Sequence, residues 1–103
     1  MKITFLSVCS SYNTYKEYIE TIGKSFEKTN YFAVDWNIYT DDVHQDIICF
    51  KNINIILHKI DTSALYNMFI IRLYKILELK SKYDVICLVD LDILFWVMFM
   101  MIL

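Results

Sequence analysis

Proline is absent from this 103-residue chain and glycine occurs once, at Gly23, where average usage would supply about five and seven of them. A single glycine excludes the Gly-rich dinucleotide fingerprint and the phosphate loop of nucleoside triphosphatases, since each needs several Cβ-free residues where backbone meets phosphate. Abundant Ile, Lys, Asn and Tyr point to an AT-rich coding sequence, so the scarcity of Gly and Pro reads as compositional background. An excess of positive charge is also missing. Ten Lys and Arg stand against twelve Asp and Glu, net −2, with no basic cluster, which argues against a nucleic-acid partner. The three cysteines, Cys9, Cys49 and Cys87, form no CxxC and have no adjacent histidine; reduced, buried thiols are expected, in a cytoplasmic compartment. His44 and His58 lack metal-ligand spacing and read as surface or satisfied histidines.

No apolar run is long enough to span a bilayer without a charge. The stretch Ile93 to Leu103 is unbroken apolar sequence but shorter than the roughly 20 residues of a spanning helix. Extending it back to Val85 takes in Asp90 and Asp92, which are costly at membrane depth. A small membrane protein using these last nineteen residues is therefore the weaker alternative. The N-terminal segment from Met1 to Cys9 is too short for a span and has no signal-peptide cleavage pattern. Residues 96–103 are read as an apolar tail left by truncation or a shifted reading frame, able to give peripheral membrane association.

What the chain does have is a foldable composition, 57% hydrophobic and 17% aromatic, sized for one small domain. Lys2 to Cys9 reads as a buried strand, with a turn at Ser10-Ser11-Tyr12-Asn13. A helix is expected from Thr14 to Lys28, capped by Asn13 or Thr14, burying Tyr15, Tyr18, Ile19, Ile22 and Phe26. Tyr12 and Tyr15 read as core in preference to base-stacking platforms. Val34 to Tyr39 alternates with period two and ends in the acidic turn Thr40-Asp41-Asp42; Ile53 to Leu57 is a third strand. Asp61-Thr62-Ser63 offers a cap for a helix from Ala64 to Ser81 with an apolar face of Leu65, Phe69, Leu73, Ile76 and Leu77. Val85 to Val89 is the fourth strand. This alternation predicts an α/β, Rossmann-like, mostly parallel sheet with flanking helices and ligand groups at the strands' carboxyl ends.

The sharpest chemical feature is Asp90-Leu91-Asp92 at the end of that fourth strand. On an extended backbone residues i and i+2 share a side, so both carboxylates can converge on one hard cation while Leu91 points back into protein. All-oxygen ligation suits Mn²⁺ or Mg²⁺ and, through the metal, a diphosphate. Arg72, the only arginine, sits on an otherwise apolar helix and suits pairing with phosphate or carboxylate.

Tyr39-Thr40-Asp41 after one strand, Arg72 on a helix and Asp90-Leu91-Asp92 after another strand resemble, in that order, the nucleotide-binding half of A-type glycosyltransferases. More narrowly, the chain is similar to glycosyltransferase family six, the retaining alpha-1,3-galactosyl and N-acetylgalactosaminyl transferases that include the histo-blood group enzymes and shorter bacterial relatives. Asn37-Ile38-Tyr39-Thr40-Asp41 corresponds to the family's "yYvFTD" segment, and Val85 through Phe95 to its "LfcvDvDmvF" strand. The likeness covers about Lys2 to Phe95, the nucleotide-sugar-binding half-domain (1–95) and only the first part of a family member. Many bacterial relatives carry Asn-x-Asn where this chain has Asp-x-Asp, so the metal dependence implied here follows the vertebrate pattern.

The resemblance implies transfer of a hexose from a UDP-sugar donor to a saccharide acceptor with retention of configuration. Asp90 and Asp92 would hold Mn²⁺ or Mg²⁺, with Asp90 and Arg72 near the diphosphate and Tyr39, Thr40 and Asp41 beside the nucleoside. Ser7, Val8, Cys9 and Ser10 would contribute backbone contacts to the base. The family's acceptor-binding region and its later carboxylate have no counterpart after Phe95, so no residue is assigned as catalytic. A nucleotide-binding remnant without activity is the alternative the truncation suggests.

Overall fold

The computed structural model describes residues 1–9, 12–29, 32–41, 49–60, 68–89, 91 and 98–102; of residues 13, 68–70 and 98–102 it describes the backbone alone. The elements run β1 (Ile3–Cys9), α1 (Tyr12–Thr29), β2 (Val34–Thr40), β3 (Ile53–Lys59), α2 (Met68–Leu79), β4 (Val85–Val89) and β5 (Met98–Ile102). The sheet order is β3-β2-β1-β4-β5. The first four strands of that order are mutually parallel, with Phe5 opposite Trp36 on one side of β1 and Cys87 on the other. This is the Rossmann-like arrangement that the alternation of elements predicts, although β3 ends at Lys59 and not Leu57, and α2 ends at Leu79 and not Ser81; the expected start of α2 at Ala64 lies outside the described residues.

The two faces of the sheet are covered by different helices because strand side chains alternate. Phe5, Cys9, Trp36, Ile38, Ile53, Ile55, Val85, Cys87 and Val89 meet Tyr12, Ile19, Ile22 and Phe26 of α1. Leu6, Val8, Tyr39 and Ile86 meet Ile76 and Leu79 of α2 on the opposite face. Burying side chains of this size stabilises by about 1.5–3 kcal/mol each. On the α1 side, Phe5 lies 4.5 Å from Phe26 and 6.1 Å from Trp36, ring centre to ring centre.

Several expectations are corrected. Helix α1 starts at Tyr12, not after an Asn13 or Thr14 cap, because the fully buried Tyr12 belongs to its core face. Tyr18 is half-exposed, being about 100° around the helix from the buried Ile19. Among the described side chains of α2 the buried ones are Ile76, as expected, and Leu79, while Leu73 and Leu77 are 47% and 61% exposed; Leu65 and the Phe69 side chain lie outside the described residues. Gly23 is more than compositional background: a Cβ there would overlap the Phe50 ring, so the missing side chain lets Phe50, which precedes β3, pack onto α1. Cys9 and Cys87 are buried as expected, but Cys49 is exposed. The proposed cap at Asp61-Thr62-Ser63 lies outside the described residues, as do Asp42 and His44.

Part of the apolar tail is an element of the sheet. Met98–Ile102 pairs antiparallel with β4, from Val85 opposite Ile102 to Val89 opposite Met98. The segment weighed as a membrane-spanning helix thus contains two paired strands. Among the described residues no helix is long and apolar enough to cross a membrane.

Candidate functional site

In a parallel sheet the strands' carboxyl ends share one edge, and here Cys9 (β1), Thr40 (β2), Lys59 (β3) and Val89 (β4) mark it. The chain leaves β1 through α1 toward β2 on one side, and reaches β4 through α2 on the other. The crevice between β1 and β4 is therefore the topological switch point, where open α/β sheets bind ligands. Asp90 and Asp92 lie outside the described residues; in sequence they follow Val89, the last residue of β4. Leu91, between them, is only 2% exposed and joins Val85, Cys87 and Val89 in the α1-side core, as the sequence reading requires. Among the described residues no three His, Cys, Asp or Glu side chains gather in a metal-binding group.

A buried hydrogen-bond chain fixes this edge. Ser7 Oγ donates to the Val89 carbonyl at 2.8 Å and accepts from Trp36 Nε1 at 3.0 Å. One hydroxyl thereby ties β1, β2 and the final residue of β4. Sequence reasoning gave Ser7 only a backbone role. The available signal was that Ser7 shares a strand face with Phe5 and Cys9, where a hydroxyl must find a partner.

The segment Tyr39-Thr40-Asp41 ends β2 at the same edge, but its side chains go different ways. Thr40 is fully buried, and its carbonyl accepts the Ile60 amide at 2.8 Å. Tyr39 is buried on the α2 face, stacked on His58 with ring centres 4.3 Å apart, and Lys75 Nζ lies 5.1 Å from its ring centre. Burial, with smaller contributions from Glu78 and Tyr83, pushes its phenol up to about 12. Asp41 alone of the three presents an exposed side chain. Arg72 is half-buried in α2, the helix that runs from the carboxyl edge back toward the amino edge, and lies in the half of it nearer the carboxyl edge. The ends of β2 and β4 are separated by β1, two interstrand spacings or about 10 Å.

A second polar constellation was not legible as such. Asp35 and Asn37 alternate with Val34, Trp36 and Ile38 and so fall on the α2 face of β2. There Asn37 Nδ2 donates to Thr4 Oγ1 at 2.7 Å and to Tyr83 Oη at 3.3 Å, and Tyr83 Oη donates to Asp35 Oδ2 at 2.6 Å. His58 Nε2 lies 2.7 Å from Asn37 Oδ1. Burial, then Lys75 and Lys82, lower the His58 pKa below its ordinary value of 6.5. The Tyr83 phenol is raised by burial and by its bond to Asp35.

No protein-family model matches the chain, and no curated protein matches its sequence.

Proposed function

We propose that the chain is the donor-binding half of an A-type glycosyltransferase similar to family six, holding a UDP-sugar at the carboxyl edge of its sheet for transfer to a saccharide acceptor. The observation that carries this reading is the parallel order β3-β2-β1-β4. It sets the end of β2, where Asp41 is exposed, and the end of β4, which Asp90-Leu91-Asp92 follows, on either side of β1. A nucleoside diphosphate laid across β1 reaches from one to the other.

In this reading Asp41 accepts hydrogen bonds from the nucleoside, and Tyr39 and Thr40, whose side chains are buried, contribute through backbone groups. Arg72 pairs with the diphosphate through its guanidinium fork. Asp90 and Asp92 are the residues that would hold Mn²⁺ or Mg²⁺; when bound, the cation offsets charge on the departing nucleoside diphosphate. The Ser7 bond to Val89 holds the strand end that leads into the acidic pair. The protein's contribution is thus positioning and charge compensation.

Calorimetric titration of UDP with and without Mn²⁺, on the parent chain and on Asp90→Ala and Asp92→Ala, tests the reading. It predicts binding that requires the metal and both carboxylates. Metal-independent binding, or none by a folded chain, overturns it.

A further inference from the structure

Helix α2 lies over β1 and packs on Leu6, Val8 and Ile86, leaving the polar face of β2 and β3 open beside it. The space left is a cleft of about 400 Å³ whose lining includes Asn37, His58, Lys59, Lys75, Glu78 and Lys82. It runs down the α2 face of the sheet, and its described lining includes neither Asp41 nor Arg72.

Among the described residues, Lys75 and Lys82 against Glu78 give the α2-face lining a surplus of positive charge in a chain whose net charge is −2, whereas the Lys59 side chain alternates to the other face with Leu57. Lys75 is paired with Glu78 at 3.2 Å. Lys59 and Lys82 form no ion pair with any described residue.

The hydrogen-bond network fixes the histidine's tautomer. Thr4 Oγ1 donates to the Asp35 carbonyl at 2.9 Å and Tyr83 Oη donates to the Asp35 carboxylate, so both hydroxyls have their protons directed away from Asn37 and can only accept from it. The Asn37 amide must therefore point its nitrogen at them and its Oδ1 at His58. The imidazole in turn presents Nε2–H to Asn37, which leaves the lone pair of the neutral ring on Nδ1. Nδ1 bonds to no described residue, and no described side-chain nitrogen or oxygen is both buried and unpartnered, so solvent reaches it. Around this ring stand Tyr39 and Tyr83 (both raised phenols), Lys75 and Lys82 as cations and, among the described residues, Glu78 as the one anion.

We propose that this cleft is a second ligand site, taking the phosphate group of a small soluble phosphomonoester between Lys75, Lys82 and the open Nδ1 of His58. A phosphate is the group the lining suits: it satisfies the unpaired ammonium charge as an acceptor, and it shares a proton with an imidazole whose other nitrogen is already anchored. Binding is coupled to proton uptake. Burial, and then Lys75 and Lys82, lower the pKa of the free ring; the arriving anion offsets the lysines' share, so His58 titrates at a higher pH in the complex than in the free protein.

The test follows the His58 ring resonances by NMR while inorganic phosphate or glycerol 3-phosphate is added at constant ionic strength. Both probes are expected to give a saturable shift and to raise the His58 pKa, whereas chloride gives neither. Lys82→Gln should weaken binding roughly tenfold, since it removes a charge-assisted contact, and Lys24→Gln on the opposite helix should not. Asp90→Ala should leave the phosphate response intact, which keeps this result separate from the nucleotide reading. A His58 resonance that phosphate does not move, a shift matched by chloride, or a response lost in Asp90→Ala overturns the proposal.

Discussion

Replacing Ser7 by alanine removes one oxygen from the protein and disturbs three strands. The hydroxyl donates to the Val89 carbonyl and accepts the Trp36 indole N–H, and all three residues are buried. Without it, Trp36 Nε1–H is left in the core with no acceptor. An orphaned buried donor costs about 1–3 kcal/mol, and the lost bond to Val89 adds about 1 kcal/mol. Ser7→Ala should therefore destabilise the fold by roughly 2–4 kcal/mol, against the 5–15 kcal/mol typical of a whole domain. Chemical denaturation measures this, and a double-mutant cycle isolates its cause. In a Trp36→Phe background no indole N–H remains to be orphaned, so Ser7→Ala should then cost only the roughly 1 kcal/mol of the Val89 bond. The cavity left by the smaller ring is common to both arms of that comparison. Equal costs of Ser7→Ala in the two backgrounds, or a cost below about 0.5 kcal/mol in the parent, would refute the claim that this hydroxyl pins the edge.

Two further perturbations probe other links. Gly23→Ala gains about 1 kcal/mol of helix propensity but drives a methyl into the Phe50 ring, an overpacking worth about 1–3 kcal/mol, so it should be neutral to destabilising in the parent. In a Phe50→Ala background the same change should turn stabilising by up to about 1 kcal/mol, read by thermal melting. The lowered pKa of His58 means the unfolded chain binds that proton more readily, so the histidine's contribution to stability is complete above pH 6.5 and is lost as pH falls through its folded pKa. Urea unfolding between pH 7.5 and about 5 should show this slope in the parent and a shallower one in His58→Gln, which keeps an N–H for Asn37.

The four parallel strands were the most legible part of the chain, because each is a short apolar or alternating run bounded by polar residues, and β4 matches its expected limits at Val85 and Val89; β5, inside an unbroken apolar run, was read as a tail. Helix faces were less legible where composition is nearly uniform. In Met68–Leu79 an apolar stripe can be drawn through Leu73 and Leu77 as well as through Ile76 and Leu79, and the choice is made by contact with Leu6, Val8 and Ile86, which helical spacing does not encode. The polar residues of β2 were hidden for the opposite reason. Alternation in Val34–Thr40 suggests a solvated polar face, yet Asn37 is only 2% exposed because Thr4, His58 and Tyr83 arrive from three distant segments to satisfy it. At the carboxyl edge the sequence marked where β2 and β4 end, but not that Tyr39 and Thr40 turn their side chains inward and leave Asp41 exposed.

Paramagnetic broadening by Mn²⁺ in the presence of UDP tests the central claim most directly, because it locates the metal through the backbone amides around it. The donor-site reading predicts the strongest loss of signal at Val89 and Leu91, an intermediate loss at Cys9 and Asp41, and the least at Lys2 and Asp35 near the amino edge, with the pattern abolished in Asp90→Ala. Broadening centred elsewhere, or a pattern that survives the loss of Asp90, would contradict it.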